Sequence, residues 1–202
     1  MKQMSSRDIE KMIQDDSKFR RELARRSHFW FFHIYLAHYV KCRTAHFQKV
    51  MINLCSNPNI KVVVVTAFRG SAKSTIMSLS YPLWAMIAGD KKFIVILSQN
   101  QNQSETLFSN IKAELEKNTQ LISDFGPFRQ ISDEWNKNTL IVNSYGCRIS
   151  CISSGESIRG IRHIQNRPGL IICDDVEDLS SVRTKEGRDR TFNWLTVILH
   201  QH

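Results

Sequence analysis

The stretch at residues 60–75 constrains the fold of this chain more than any other. An apolar, largely β-branched run at 60–65 leads directly into the sequence AFRGSAKST at 67–75, and a helix-forming segment follows at 76–87. A short β-branched run without alternation is typical of a parallel strand covered on both faces. A loop at the start of a helix offers unpaired N–H groups and the positive end of the helix dipole to an anion. The stretch therefore predicts a buried strand that ends in a phosphate-binding loop.

The loop departs from the usual pattern at two positions. In G-x-x-x-x-G-K-[ST], the Lys contacts the β- and γ-phosphates and the hydroxyl holds Mg²⁺. Lys73 and Ser74 match this pattern, whereas Ala67 and Ala72 replace the glycines. Alanine does not share the freedom of glycine to take positive φ values. The alternative interpretation is a strand-to-helix turn with a solvated Lys73, but the order of strand, loop, Lys-Ser and helix favours a phosphate site.

A second apolar run ends in carboxylates. Residues 170–173 are apolar, and Asp174 and Asp175 follow them. We expect this strand to lie beside the strand at 60–65, because ligands of α/β sheets bind beyond the carboxyl ends of the strands. One carboxylate there can hold Mg²⁺ and a neighbour can orient an attacking water. The alternative is an acidic strand end without a ligand.

The remaining segments alternate between helices and strands. Ser5 or Ser6 can cap a first helix, and a second helical stretch covers 23–54, with a cluster of arginines that we interpret as a solvated face. Pro82 should kink the helix after the loop. Further predictions are a turn at 57–59, a buried strand at 93–97, a helix at 103–118, loop-like residues at 124–138 and a hairpin from 139–143 and 146–152.

The composition of the chain bears on its binding partners and on its cellular compartment. The 202 residues carry a net charge of +9, which favours anionic partners such as nucleic acid. Five cysteines at irregular spacing indicate reduced thiols in a cytosolic protein rather than a disulfide framework. The apolar residues at 29–40 are too few to cross a bilayer, so we expect no membrane association.

Several motifs together resemble the N-terminal ATPase domain of the large subunit of tailed-phage terminases, the motors that package double-stranded DNA. The similarity covers residues 27–194. It comprises the aromatic stretch FWFFHIYLAHYV, the loop AFRGSAKST, the YPLW sequence at 81–84, and the elements ESIRGIR and NRPGLIICDDVED.

The resemblance assigns roles to the loop residues. Lys73 would bind the β- and γ-phosphates of ATP, Ser74 would hold Mg²⁺, and Arg69 would contact the γ-phosphate. A guanidinium there can neutralise charge on the transferred phosphoryl group. The other loop residues expected to contact nucleotide are Gly70, Ser71, Ala72 and Thr75.

Further roles fall on residues outside the loop. Gln48 stands about where this family keeps an adenine-reading glutamine, since an amide can pair with both N6 and N7 of adenine. Asp174 fits the aspartate that contacts Mg²⁺. Where the family usually has a catalytic Glu this chain has Asp175, so either Asp175 or Glu177 positions the attacking water.

One arginine is expected to act between subunits. Arg159 matches the family's RG element, which can supply an arginine finger to the ATP of a neighbouring subunit, and Arg162 is the competing candidate. Nothing after Trp194 matches the coupling motif or the nuclease domain of the family, so we expect no nuclease activity from this chain.

The sequence thus predicts an α/β, RecA-like P-loop NTPase of the ASCE type. It would have a central, mostly parallel sheet flanked by helices, with an N-terminal helical segment at 1–58 packed on an ATPase core at 59–202. It would hydrolyse Mg-ATP to drive DNA translocation into a viral procapsid in the host cytoplasm.

The resemblance also implies partners, and two alternatives stay open. The implied partners are double-stranded DNA, further copies of the chain in a ring, the portal protein and the small terminase subunit. The alternatives are a helicase or translocase, whose motifs overlap with these, and a nucleotide-gated nucleic-acid-binding module that does not hydrolyse ATP.

Overall fold

The computed structural model describes residues 6–131, 133–153, 166–177 and 183–199. Within them the protein is α/β, with a four-stranded mixed sheet and helices that flank it. The helices are α1 (Ser6–Asp15), α2 (Ser17–Arg26), α3 (His28–Tyr35), α4 (His46–Cys55), α5 (Tyr81–Ala88), α6 (Gln101–Lys117), α7 (Thr119–Phe125) and α8 (Lys185–Leu199). A π-helical segment (Thr75–Ser80) leads into α5, and short 3₁₀ turns lie at Ala37–Tyr39 and Asn143–Tyr145.

Capping side chains divide the N-terminal region into several helices. Asp16 accepts hydrogen bonds from the N–H groups of Lys18 and Phe19, which starts α2. Ser27 has an extended backbone, and its hydroxyl accepts a bond from the N–H of Trp30 at the start of α3. The single helical stretch predicted for 23–54 is therefore wrong in its continuity, because local caps end one helix and begin the next.

The sheet has the order β2-β3-β1-β4, with strands β1 (Phe93–Ser98), β2 (Thr139–Val142), β3 (Cys147–Ser153) and β4 (Leu170–Asp174). β1 pairs in parallel with both β3 and β4, whereas β2 and β3 form the predicted antiparallel hairpin. Gly146 closes this hairpin at φ 55°, a left-handed conformation that glycine adopts without strain. The sheet is thus mostly parallel, as expected.

The central strand β1 is buried on both faces. Every residue of β1 is buried. Phe93, Val95 and Leu97 share one face, on which Trp194 of α8 packs. The continuous apolar sequence of β1 reflects this double coverage, as in other parallel strands.

The buried strand predicted at residues 60–65 is wrong. These residues form no strand, and the side chains of Val62 and Val64 are 77% and 86% exposed. None of the backbone groups of residues 61–67 is hydrogen-bonded to another described residue. β-branched composition favours a strand only where a neighbouring strand supplies the ladder, and the neighbours of β1 are β3 and β4.

The chain divides into two compact units. One contains residues 1–88 and 114–128, and the other contains residues 89–113 and 129–202. The helices α1–α5 and α7 belong to the first unit and the sheet belongs to the second. Of the helices described, none has the length and apolar character required to cross a membrane.

Candidate functional site: a glycine- and alanine-containing loop

The predicted phosphate-binding loop is a compact turn that opens directly into a helix. The N–H of Ser71 donates to the carbonyl of Phe68 at 3.2 Å, and the N–H of Ile76 donates to the carbonyl of Ala72 at 3.0 Å. Between these bonds, Gly70 has φ 86° and Ala72 has φ 64°. A left-handed residue followed by helical residues directs successive N–H groups toward a common point, a geometry suited to an anion.

Ala72 stands where the usual loop pattern has glycine, and its backbone is in the left-handed region, which glycine adopts without strain. The left-handed region costs an L-residue roughly 1–2 kcal/mol because its Cβ approaches a carbonyl oxygen. The expectation that alanine would avoid positive φ here is therefore wrong. Strained backbone of this kind is concentrated at functional sites, where the surroundings hold it in place.

The side chains of the loop differ in their exposure. Arg69 and Ser74 are exposed, Lys73 and Thr75 are half-buried, and Ser71 is buried. Ser74 has helical φ and ψ and lies one residue before the π-helical segment. The hydroxyl of Ser74 and the charges of Arg69 and Lys73 thus lie at the start of a helix, where an anion would be stabilised.

Gln48 is tied to this loop. Its Nε2 donates to the carbonyl of Ser71 at 3.0 Å, and its Oε1 accepts a bond from the N–H of Ala45 at 2.9 Å. Both ends of the amide are used, one to start α4 and the other to hold the loop. The adenine-reading role stays a prediction, while the structure gives Gln48 the role of a loop tether.

Two aromatic residues beside the loop were not singled out by the sequence analysis. Phe68 is 68% exposed, and its ring lies 5.5 Å from the ring of Phe47, which is 37% exposed. Phe47 directly precedes Gln48, and Phe68 directly precedes Arg69. In the sequence, these positions next to two predicted site residues were the sign that the two rings lie at the loop.

The helix that follows the loop begins with a wide turn. The N–H of Tyr81 donates to the carbonyl of Ile76, a five-residue separation characteristic of a π-helix. Pro82 comes next and has no N–H to continue the ordinary pattern. The π-helical segment thus ends two residues before Pro82, and the kink expected at Pro82 stays a prediction.

The predicted acidic residues lie at the carboxyl end of β4. Asp174 is buried at 7% exposure and lies in register with Ser98, the last residue of β1, which in turn lies in register with Ser153 of β3. The three parallel strands therefore end in a row of buried polar residues, the edge at which ligands of parallel sheets bind.

Asp175 and Glu177 follow Asp174 as exposed residues. Asp175 has φ 48°, so its backbone, like that of Ala72, is in the left-handed region. The expectation that this strand lies beside a strand at 60–65 is wrong, because the partner of β4 in the sheet is β1. The loop belongs to the first unit and the carboxylates to the second.

Two predicted residues fall outside the described part of the chain. Arg159 and Arg162, the candidates for a finger between subunits, both lie in the segment 154–165. Their assignment stays a prediction.

A pocket in the second unit is separate from all predicted site residues. Its volume is about 710 Å³, and it is lined by polar residues of α6, by the segment at 135–138 and by Cys151. Burial raises the pKa of the Cys151 thiol well above its usual range, which disfavours the reactive thiolate. The pocket is not part of the candidate site.

Both the loop and the end of β4 carry oxygen donors, and they belong to different units. Mg²⁺ prefers oxygen ligands and is usually held by one or two protein groups together with the phosphates of its substrate. The hydroxyl of Ser74 and the carboxylate of Asp174 are ligands of that kind. No group of three or more His, Cys, Asp or Glu side chains within the described ranges could hold a metal ion.

No protein-family model matches the chain, and no curated protein matches it significantly.

Proposed function

We propose that the chain is the ATP-hydrolysing domain of a viral motor that packages double-stranded DNA. One observation carries the proposal: a turn with left-handed residues at Gly70 and Ala72 opens into a helix whose first residues are Lys73 and Ser74. This geometry supports phosphate binding because N–H groups, the helix dipole and a lysine charge lie together.

In the proposed reaction, the loop would bind the phosphates and Lys73 would contact the β- and γ-phosphates. Arg69, exposed in the loop, would stabilise negative charge on the transferred phosphoryl group. Ser74 and Asp174 would each offer an oxygen ligand to Mg²⁺, which neutralises charge on phosphate oxygens when bound. Asp175 or Glu177 would orient the attacking water.

The proposed partners rest on charge and on the resemblance to terminases. A net charge of +9 supports binding to the DNA backbone. The same proposal includes three further features. They are a RecA-like arrangement of the sheet, assembly of the chain into a ring, and contacts with a portal protein and a small terminase subunit.

Hydrolysis is tested by comparing Lys73→Ala with Lys61→Ala. Lys61 is an exposed lysine of the preceding segment, outside the loop, so its variant has the same change of charge. Lys73→Ala should lower kcat for Mg-ATP by about 100-fold or more, the usual loss when one transition-state donor is removed. Lys61→Ala should retain the wild-type rate, and equal rates for both variants would exclude catalysis at this loop.

The motor is tested by measuring turnover against protein concentration, with and without double-stranded DNA. A site completed between subunits predicts a rate that rises more steeply than linearly and is lost in Arg159→Ala. A strictly linear rate would place the whole site in one chain and favour the helicase-like alternative. Tight ATP binding without turnover at any concentration would favour the non-hydrolysing module.

A further inference from the structure

The exposed ring of Phe68 borders the phosphate-binding loop. Phe68 is 68% exposed, whereas Phe31, Phe93 and Phe108 are fully buried. Leaving a phenylalanine in water forgoes about 1.5–3 kcal/mol relative to burying it. An exposed phenylalanine in a functional loop is therefore a candidate for contact with a ligand.

Two contacts position the ring of Phe68: a backbone hydrogen bond within the loop and the ring of Phe47. The bond from the N–H of Ser71 to the carbonyl of Phe68 closes the turn, which places Phe68 within one turn of the residues that would hold phosphate. Phe47 meets the ring at an interplanar angle of 59°, and most of the surface of Phe68 stays accessible. Gln48 ties the same helix to the loop, so Phe47 and the loop are held together.

Each end of the Gln48 amide already makes one hydrogen bond, Oε1 with the N–H of Ala45 and Nε2 with the carbonyl of Ser71. These two bonds fix the orientation of the amide. An adenine would have to meet the second N–H and the second lone pair of the amide in that fixed orientation. Hydrogen-bonded reading of adenine is thus constrained by the bonds that hold the loop.

We propose that Phe68 stacks on the base of a nucleotide whose phosphates lie in the loop, and that Phe47 is a positioning residue for that ring. This inference rests on the proposed function, because it takes the loop as the phosphate site. Stacking tolerates any base, since every base has a π-face. The substrate class is therefore nucleoside triphosphates in general, with similar affinities for ATP and GTP.

The experiment uses three ligands: Mg-ATP, Mg-GTP and Mg-tripolyphosphate, which has no base. Isothermal titration calorimetry on Phe68→Ala should show about 10-fold weaker binding of both nucleotides, in line with the loss of one base–aromatic stack. Binding of tripolyphosphate should not change. Phe68→Trp should retain nucleotide affinity, and Phe47→Ala should show a smaller loss with the same dependence on the base.

Phe192→Ala is the matched control. Phe192 is 69% exposed on α8, so this variant removes an equally exposed ring from a different element of the chain, and it should bind all three ligands like the wild type. Equal nucleotide affinities of Phe68→Ala and Phe192→Ala would overturn the inference. So would a Gln48→Ala variant that loses ATP affinity but retains GTP affinity, because that result would identify Gln48 as the adenine reader.

The results also separate the inference from the proposed function. If wild-type protein binds tripolyphosphate as tightly as ATP, the base makes no contact and the inference fails while the phosphate site stands. If wild-type protein binds none of the three ligands, the proposed function fails and the inference fails with it.

Discussion

The guanidinium of Arg20 and the carboxylate of Asp124 form a buried, two-bonded ion pair between α2 and α7, with N–O distances of 2.6 and 2.9 Å. Tyr35 of α3 donates a third bond to the same carboxylate at 2.8 Å. The remaining guanidinium nitrogen of Arg20 donates to the carbonyls of Ile13 and Gln14. This network joins elements that are far apart in sequence.

Arg20→Ala should lower the free energy of unfolding by about 3–5 kcal/mol, because it leaves the buried Asp124 charge without its cation. Arg21→Ala is the matched control, since Arg21 is exposed on the same helix, and its effect should stay within about 0.5 kcal/mol. Urea unfolding of both variants measures the difference. Equal stabilities would mean that the ion pair contributes nothing net.

His28 predicts a pH dependence of stability. Burial lowers its pKa from 6.5 to about 3, and its Nε2 lies 2.9 Å from the hydroxyl of Ser80. The unfolded chain therefore takes up a proton at a higher pH than the folded chain. The stabilising contribution of neutral His28 is fully present above pH 6.5 and is lost as the pH falls toward 3, by up to about 1.4 kcal/mol per pH unit.

The measurement for His28 compares wild type with His28→Phe, which fills the site with a ring that does not titrate. Urea unfolding at pH 7.5 and pH 4.5 should give a smaller stability advantage of the wild type at pH 4.5. An advantage that is unchanged between the two pH values would show that His28 is not held neutral.

Ala72→Gly should leave the protein equally stable or stabilise it by up to about 1 kcal/mol, because relief of the left-handed strain outweighs the added freedom of the unfolded chain. Ala67→Gly is the control. Ala67 does not have a positive φ, so glycine there should destabilise by about 0.5–1 kcal/mol. Thermal unfolding distinguishes the two, and a loss of stability in both would contradict the observed backbone of Ala72.

If the proposed function holds, we expect Asp175 rather than Glu177 to orient the attacking water, because Asp175 directly follows β4 and has a left-handed backbone. Asp175→Asn preserves that backbone because Asn tolerates the left-handed region. The variant should lose about 100-fold or more in kcat for Mg-ATP, as expected for removal of a general base, and should retain nucleotide affinity.

Two further variants complete that comparison. Glu177→Gln should lose less activity than Asp175→Asn, and Asp189→Asn, an exposed carboxylate of α8, should lose none. If Glu177→Gln is instead the more impaired enzyme, the assignment of the two carboxylates is reversed.

Local sequence signals predicted much of the sheet and the helix α6. β1 and β4 are continuous apolar runs, and the hairpin of β2 and β3 is marked by Gly146. The short helix α7 was missed, although Asn118 marks its start by accepting a bond from the N–H of Leu121. These elements depend on neighbours in sequence, which a sequence pattern records.

The wrong predictions concern interactions between distant residues. The run at 60–65 has the composition of a strand, but only a partner strand can decide whether it pairs. Arg20 belongs to a basic cluster interpreted as solvated, yet it is buried because Asp124 lies 104 residues further along the chain. No local pattern contains that information.

The local structure of the loop was predicted in part. A helix begins at Lys73, directly after the loop, as the sequence indicated. The left-handed Gly70 was not predicted. The tether from Gln48 did not follow from residue type, because it joins residues 23 positions apart in the sequence, and alanine by itself does not indicate the left-handed conformation of Ala72.

The open segment at 61–67 also affects how the protein behaves as a colloid. The peptide groups of this segment pair with no other described residue and lie beside exposed valines, so we expect the same segment of another molecule to be able to pair with it as a β-ribbon. The net charge of +9 keeps such copies apart. Salt at 0.1 M screens that repulsion beyond about 10 Å, so we expect the solubility of this protein to fall as ionic strength rises.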